Sequence, residues 1–131
     1  MNTQSMSNFV ASRLASFRYA FEGLRFALRT QHNTWIHATA AVAVFLLALW
    51  LNISTESWAI LVLTVSLVFT AELLNTAIEA TVDLASPQTH PMAKIGKDTA
   101  AAAVLVAALF AVVVGMLILG PPPWAKFAHH A

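Results

Sequence analysis

Three carboxylates and an amide, Glu72, Asn75, Glu79 and Asp83, occur in the stretch AELLNTAIEATVD at steps of three, four and four. On an α-helix those steps put all four on one face, with Thr76 beside them. They follow SWAILVLTVSLVFT, residues 57–70, a run without Lys, Arg, Asp or Glu. A charge inside a membrane span costs about 2.5–3.5 kcal/mol even on lenient scales, so such residues are functional candidates by default. A carboxylate in low dielectric gains proton affinity and can act as a base. One at the boundary with water can hold a hard cation such as Mg²⁺ through oxygen. Glu72 and Glu79 lie two turns, about 10 Å, apart along the axis, too far for one shared proton but suited to two roles. Asp98, with Lys97 before it and Lys94 a turn earlier, brings further charge to the same depth, and Lys97 can neutralise phosphate. The set suits phosphoryl transfer where water meets lipid, the nucleotide arriving from one side and a hydroxyl from the other. A proton relay or an ion path would also use intramembrane carboxylates. Two structural alternatives stand beside the chemistry: Asp83 and Glu79 as a solvated helix end, and Glu72 in a buried Glu–Lys staple.

The elements that must position these residues follow from hydropathy. The chain has 131 residues, 59% of them hydrophobic and 10% charged. Soluble domains carry about 25% charged residues, so a bilayer is the expected solvent. A net charge of +1 gives no ground for a nucleic-acid partner, and the absence of Cys excludes disulfides, thiol nucleophiles and thiolate metal sites. No phosphate-cradling G-x-x-x-x-G-K-[ST] motif is present. The predicted fold is an all-α membrane protein, a single membrane domain over residues 1–131. An amphipathic surface helix covers about 6–31, where Val10, Leu14, Phe17, Phe21, Leu24 and Leu28 make an apolar stripe and Arg18, Glu22, Arg25 and Arg29 a polar face. Three spans follow at about 34–51, 57–83 and 98–119. The middle one would reach roughly 40 Å against a hydrocarbon core of about 30 Å, so its last turns emerge or it tilts.

Residues 1–12 hold no basic region leading into an apolar segment, so no cleaved signal peptide is expected. Arginines in the first helix, and Lys94 and Lys97 after the second span, put the N-terminus and the 84–97 connection in the cytoplasm by the positive-inside rule. Trp50, Trp58 and Trp124 then fall at the outer interface and Trp35 at the inner one, where His32 and His37 could also sit. Pro121 to Pro123 end the last span, and His129 and His130 belong to a frayed tail.

The stretches A-E-L-L-N-T-A-I-E-A-T-V-D and S-P-Q-T-H-P-M-A-K-I-G-K-D-T-A-A-A-A-V, with F-E-G-L-R-F-A-L in the first helix, resemble the bacterial integral-membrane diacylglycerol and undecaprenol kinases. The likeness covers about residues 12–119. It implies a homotrimer of three-span subunits in the bacterial inner membrane, with active sites shared between subunits. ATP with Mg²⁺ is the phosphoryl donor and a lipid alcohol the acceptor. By this resemblance Glu72 is the base that takes the lipid hydroxyl's proton, and Glu79 is a metal ligand. Asn75, Lys97 and Asp98 belong to the nucleotide and catalytic site. Tyr19, Gln88, Thr89 and His90 are nucleotide contacts, and Arg13 stands nearest to a nucleotide-binding Arg, off by one position. The family's second metal carboxylate, in Thr-Glu-Arg-Asn, is replaced here by Gln31 of Thr30-Gln31-His32-Asn33, an amide that offers oxygen without charge. The S-P-x-x-H-P-x-A-K-x-x-K-D form is closer to the undecaprenol-kinase branch. A degenerate trimer that binds nucleotide or lipid without turnover is the alternative that Gln31 keeps open.

Overall fold

The computed structural model describes residues 3–120. Expectations for Pro121 to Pro123, Trp124, His129 and His130 lie outside the described residues. Four helices follow in order: α1, Thr3–Thr30; α2, His32–Leu51; α3, Thr55–Ala85; and α4, Pro91–Leu119. The last three are long and apolar enough to cross a membrane. The chain divides into two compact units, Met1–His32 and Asn33–Ala131.

The first unit is the helix α1. Its last backbone bond runs from Gln31 N–H to the Ala27 carbonyl, 2.9 Å. Arg18 Nε donates to Glu22 Oε1 at 2.8 Å, an i,i+4 pair along the polar face. The Arg13 guanidinium stands over the Phe9 ring, 5.1 Å from its centre. Leu14, Phe17 and Phe21 carry exposed side chains.

In the second unit the turn between α2 and α3 is three residues long. Asn52 adopts φ 48°, the left-handed conformation that ends many helices. Its N–H reaches the Leu49 carbonyl, and the Ile53 N–H reaches that of Ala48. Ser54 then caps α3, its Oγ accepting from Ser57 N–H at 3.2 Å. Above the turn the Phe45 and Trp58 rings tilt together, centres 5.7 Å apart.

α3 and α4 pack side by side as antiparallel neighbours. The buried residues of α3, Leu61, Val68, Glu72, Asn75 and Thr76, recur at helical spacing, so its polar face continues its apolar packing face. On α4 the buried residues are Ala100, Val104 and Ala107. Counted from the cross-helix contact of Asp83 with Lys97, they stand on the levels of Glu79, Thr76 and Glu72. Small side chains there let the backbones approach and leave room for carboxylates.

α4 begins at Pro91, well before the apolar run. His90 caps it, Nδ1 accepting from Met92 N–H at 3.1 Å, and Pro91 at the first turn needs no donor partner. Lys94 and Lys97, expected in a connection over 84–97, are therefore helical. The turn itself is short, residues 86–90. α3 likewise runs two residues past the expected 83 before Ser86 N–H closes it on the Val82 carbonyl.

The left-handed Asn52 provides a stability test. Asn52→Gly should leave the thermal midpoint in detergent essentially unchanged. Asn52→Val should cost about 1 kcal/mol or more, because a β-branched residue resists positive φ. Equal midpoints for the two variants would show that the turn relaxes without cost.

Candidate functional site

Glu72 is 2% exposed, and its neighbour across the helices is His37 of α2. The imidazole Nε2 lies 3.1 Å from Glu72 Oε1. The N–H does not point along that line well enough to make a hydrogen bond, so Oε1 is left without a donor. That is contact distance, with the acceptor capacity of Oε1 still open. The buried staple considered for Glu72 would have used a lysine; the group actually beside it is a histidine.

One turn along α3, Asn75 Nδ2 donates to Glu79 Oε1 at 3.1 Å. The Asn75 amide oxygen is buried and has no partner. Thr76, on the same face, returns its hydroxyl to the Glu72 carbonyl at 2.9 Å and so does not compete for the carboxylates. Thr34, a turn before His37 on α2, is buried with its Oγ1 unpartnered. Buried polar atoms are nearly always paired. Among the described residues, Thr34 Oγ1 on α2 and Glu72 Oε1 and Asn75 Oδ1 on α3 are the exceptions.

The charges further along α3 form a second cluster. Lys97 Nζ donates to Asp83 Oδ1 at 2.9 Å, and Lys94 pairs with Asp98 one turn away on α4. All four are substantially exposed, so these pairs are worth at most about 1 kcal/mol and open easily to a ligand. A cavity of about 730 Å³ lies here at the α3–α4 turn, lined by Gln88, Thr89 and His90 together with Lys94, Lys97 and Asp98. Glu72 does not line it; it is 11 residues before Asp83, about 16 Å of helix. Glu79 stands between the two stations.

The sequence-derived candidates therefore fall into three places. Glu72, Asn75 and Glu79 share the buried face of α3. Gln88, Thr89, His90, Lys97 and Asp98 gather around the turn cavity. Arg13, Tyr19 and Gln31 belong to the α1 unit, Tyr19 with its ring exposed. Among the described residues no three His, Asp or Glu side chains are grouped to hold a metal. Mg²⁺ asks for less than that, taking one or two protein carboxylates and completing its shell with water and phosphate oxygens.

A second cavity, about 560 Å³, opens between α2, α3 and α4. Its walls are apolar, among them Val44, Leu61, Val68 and Met116, apart from His37 and Thr64. The Thr64 hydroxyl is already committed to the Ile60 carbonyl at 2.7 Å. His37 is thus the polar group that both borders this space and touches Glu72. It was no more than an interfacial histidine in the sequence. One signal was available: it is the only ionisable residue in the apolar body of α2, 15 residues before Asn52, while Glu72 lies 18 after Ser54. A helical hairpin brings such positions to similar depth.

Residues 18–119 match the profile of the prokaryotic diacylglycerol kinases. The chain belongs to that family. A diacylglycerol kinase of Synechocystis is 50% identical over 110 residues, which cover 83% of this chain and 63% of the relative. The undecaprenol kinase of Bacillus subtilis is 40% identical over 121 residues, 92% of this chain and 98% of that one. The Escherichia coli diacylglycerol kinase is 32% identical over 109 residues, 83% and 86% of the two chains. The family is one of lipid kinases, and the polar face of α3 lies within the matched region.

The orphaned hydroxyl of Thr34 can be tested directly. Thr34→Val replaces it with a methyl group of similar size. The unfolding free energy in detergent should hold or rise, by up to about 1–3 kcal/mol, because the hydroxyl is unpaired. A loss beyond about 1 kcal/mol would reveal a partner supplied by a second subunit or a bound lipid.

Proposed function

We propose that this chain transfers the γ-phosphate of ATP to the hydroxyl of a membrane lipid alcohol, diacylglycerol or undecaprenol, with Glu72 as the base. The observation that carries this is the buried Glu72 carboxylate whose Oε1 lacks a hydrogen-bond donor. An alcohol O–H supplies such a donor. In that position it can pass its proton to Oε1 as the oxygen attacks phosphorus, and the departing product is ADP. Asn75 orients Glu79 through its amide N–H. The turn cavity, with Lys97, Asp98, Gln88, Thr89 and His90, is polar and of a size for nucleotide, and Lys97 can exchange Asp83 for phosphate. Tyr19 and Arg13 of α1 are assigned as nucleotide contacts by the family resemblance alone. The apolar space beside His37 has the chemistry of an acyl or isoprenoid chain.

The donor set also suits Mg²⁺, since Glu79 and the unpartnered Asn75 oxygen are hard oxygen donors on one helix face. Glu79 would hold it, with Gln31 assigned as a second ligand by the family resemblance alone, and when bound it would neutralise charge on the transferring phosphate. We place the protein as a homotrimer in the bacterial inner membrane, with α1 at the cytoplasmic interface and Lys94 and Lys97 on that side. The kinase names of the relatives favour catalysis over the non-catalytic alternative.

The protein purified in detergent with Mg²⁺ and γ-labelled ATP should label diacylglycerol or undecaprenol when both are offered in parallel. Label in neither, with the fold intact, would sink the kinase assignment. Glu72→Gln should reduce transfer by at least about 100-fold while ATP still binds; near-normal turnover would place the base elsewhere.

Gln31→Glu tests the metal assignment separately. The Mg²⁺ concentration for half-maximal rate should fall, because a carboxylate adds charge where the amide offers only a dipole. An unchanged requirement would show that Gln31 does not touch the metal.

A further inference from the structure

Glu72 is a long side chain with three rotatable bonds, and a base must hold its oxygen within a narrow range of positions. Its own face of α3 provides no cation for this. Thr76 bonds to backbone and Asn75 turns its N–H toward Glu79. The lysines are committed one station away, Lys97 to Asp83 and Lys94 to Asp98. The group that does reach Glu72 comes from another helix, the imidazole of His37 with Nε2 at 3.1 Å. Its side chain is 22% exposed, held between α2 and α3 with one side on the apolar cavity.

We propose that His37 is a positioning residue of the acceptor site, holding the Glu72 carboxylate so that its open lone pair faces the incoming lipid hydroxyl. The proposal rests on the reading of Glu72 as the base. Two observations separate it from a simple inter-helix staple. A staple would satisfy the carboxylate, whereas Oε1 here remains short of a donor although the ring is at contact distance. A staple would also gain nothing by facing the cavity, whereas His37 borders the apolar space and the carboxylate together. A primary alcohol at the head of an apolar chain is the ligand that meets both conditions. Its hydroxyl donates to Oε1 while its chain lies against hydrocarbon side chains. The imidazole acts through Glu72, as an orienting group does behind a base.

Steady-state kinetics on His37→Leu and His37→Gln test this, with lipid and Mg-ATP varied independently. His37→Leu should lower kcat by about 10- to 100-fold and leave KM for ATP within about twofold. His37→Gln keeps a polar group of similar reach against the carboxylate and should recover most of that loss. Both variants should keep the elution volume and thermal midpoint of the unaltered protein. A kcat for His37→Leu within about twofold of normal would overturn the proposal, as would equal losses in both folded variants. If Leu at this position prevents folding, His37→Asn takes its place: polar but too short to reach Oε1, it should lose kcat, and full activity would overturn the proposal. Glu72→Gln run alongside separates the two levels of inference. Normal turnover in Glu72→Gln removes the base assignment and this proposal with it. Lost turnover there with normal turnover in His37→Leu removes only the role of His37.

Discussion

Burying a carboxylate on a helix made for hydrocarbon is the constraint around which the second unit is arranged. Glu72 is nearly inaccessible, and α3 gives it no basic partner of its own. Burying a polar group without a partner is costly, so the surrounding helices must bring a polar neighbour to it or leave room beside it. Both responses are visible. His37 approaches from α2, and small residues of α4 stand at the levels of Glu79, Thr76 and Glu72 so that larger groups are not forced against them. Were α4 lined there by Leu or Phe, the polar face of α3 would have to turn outward to the lipid.

The same helix then passes from a dry site to a wet one without interruption. Between Glu72 and Asp83 the partners change from a half-buried imidazole, to an amide–carboxylate pair, to an exposed lysine. Interaction strength changes with them. The outer pairs are weak enough to give way to phosphate, whereas the inner carboxylate keeps an unmet demand for a hydrogen bond. Under the proposed function, a rigid helix of this kind would set the spacing between nucleotide and acceptor more closely than loops could.

Four residues show where the sequence stopped being informative. Lys94 and Lys97 were expected in a loop because charge after an apolar run reads as an exit from the membrane. Their place on α4 depends on a cap, the His90 imidazole against the Met92 N–H with Pro91 beside it, which charge patterning does not register. Asp83 was undecided between a site and a solvated end, and its contact is Lys97 across the α3–α4 pair rather than anything on its own helix. His37 was the larger omission. A lone histidine on an apolar span has no local pattern, and its meaning comes only from what stands opposite.

The sequence by itself determined the three apolar helices, the alignment of Glu72, Asn75, Glu79 and Asp83 on one face, and the family. These are local properties, set by the 3.6-residue repeat, by hydropathy over about twenty residues, and by motif spacing. Tertiary structure alone decided that this face is the packed one, that Lys97 meets Asp83, and that His37 is the neighbour of Glu72. Such pairings depend on which helix faces which and at what register. That is fixed by the packing of small residues and by the geometry of two short turns, neither of which any single segment contains.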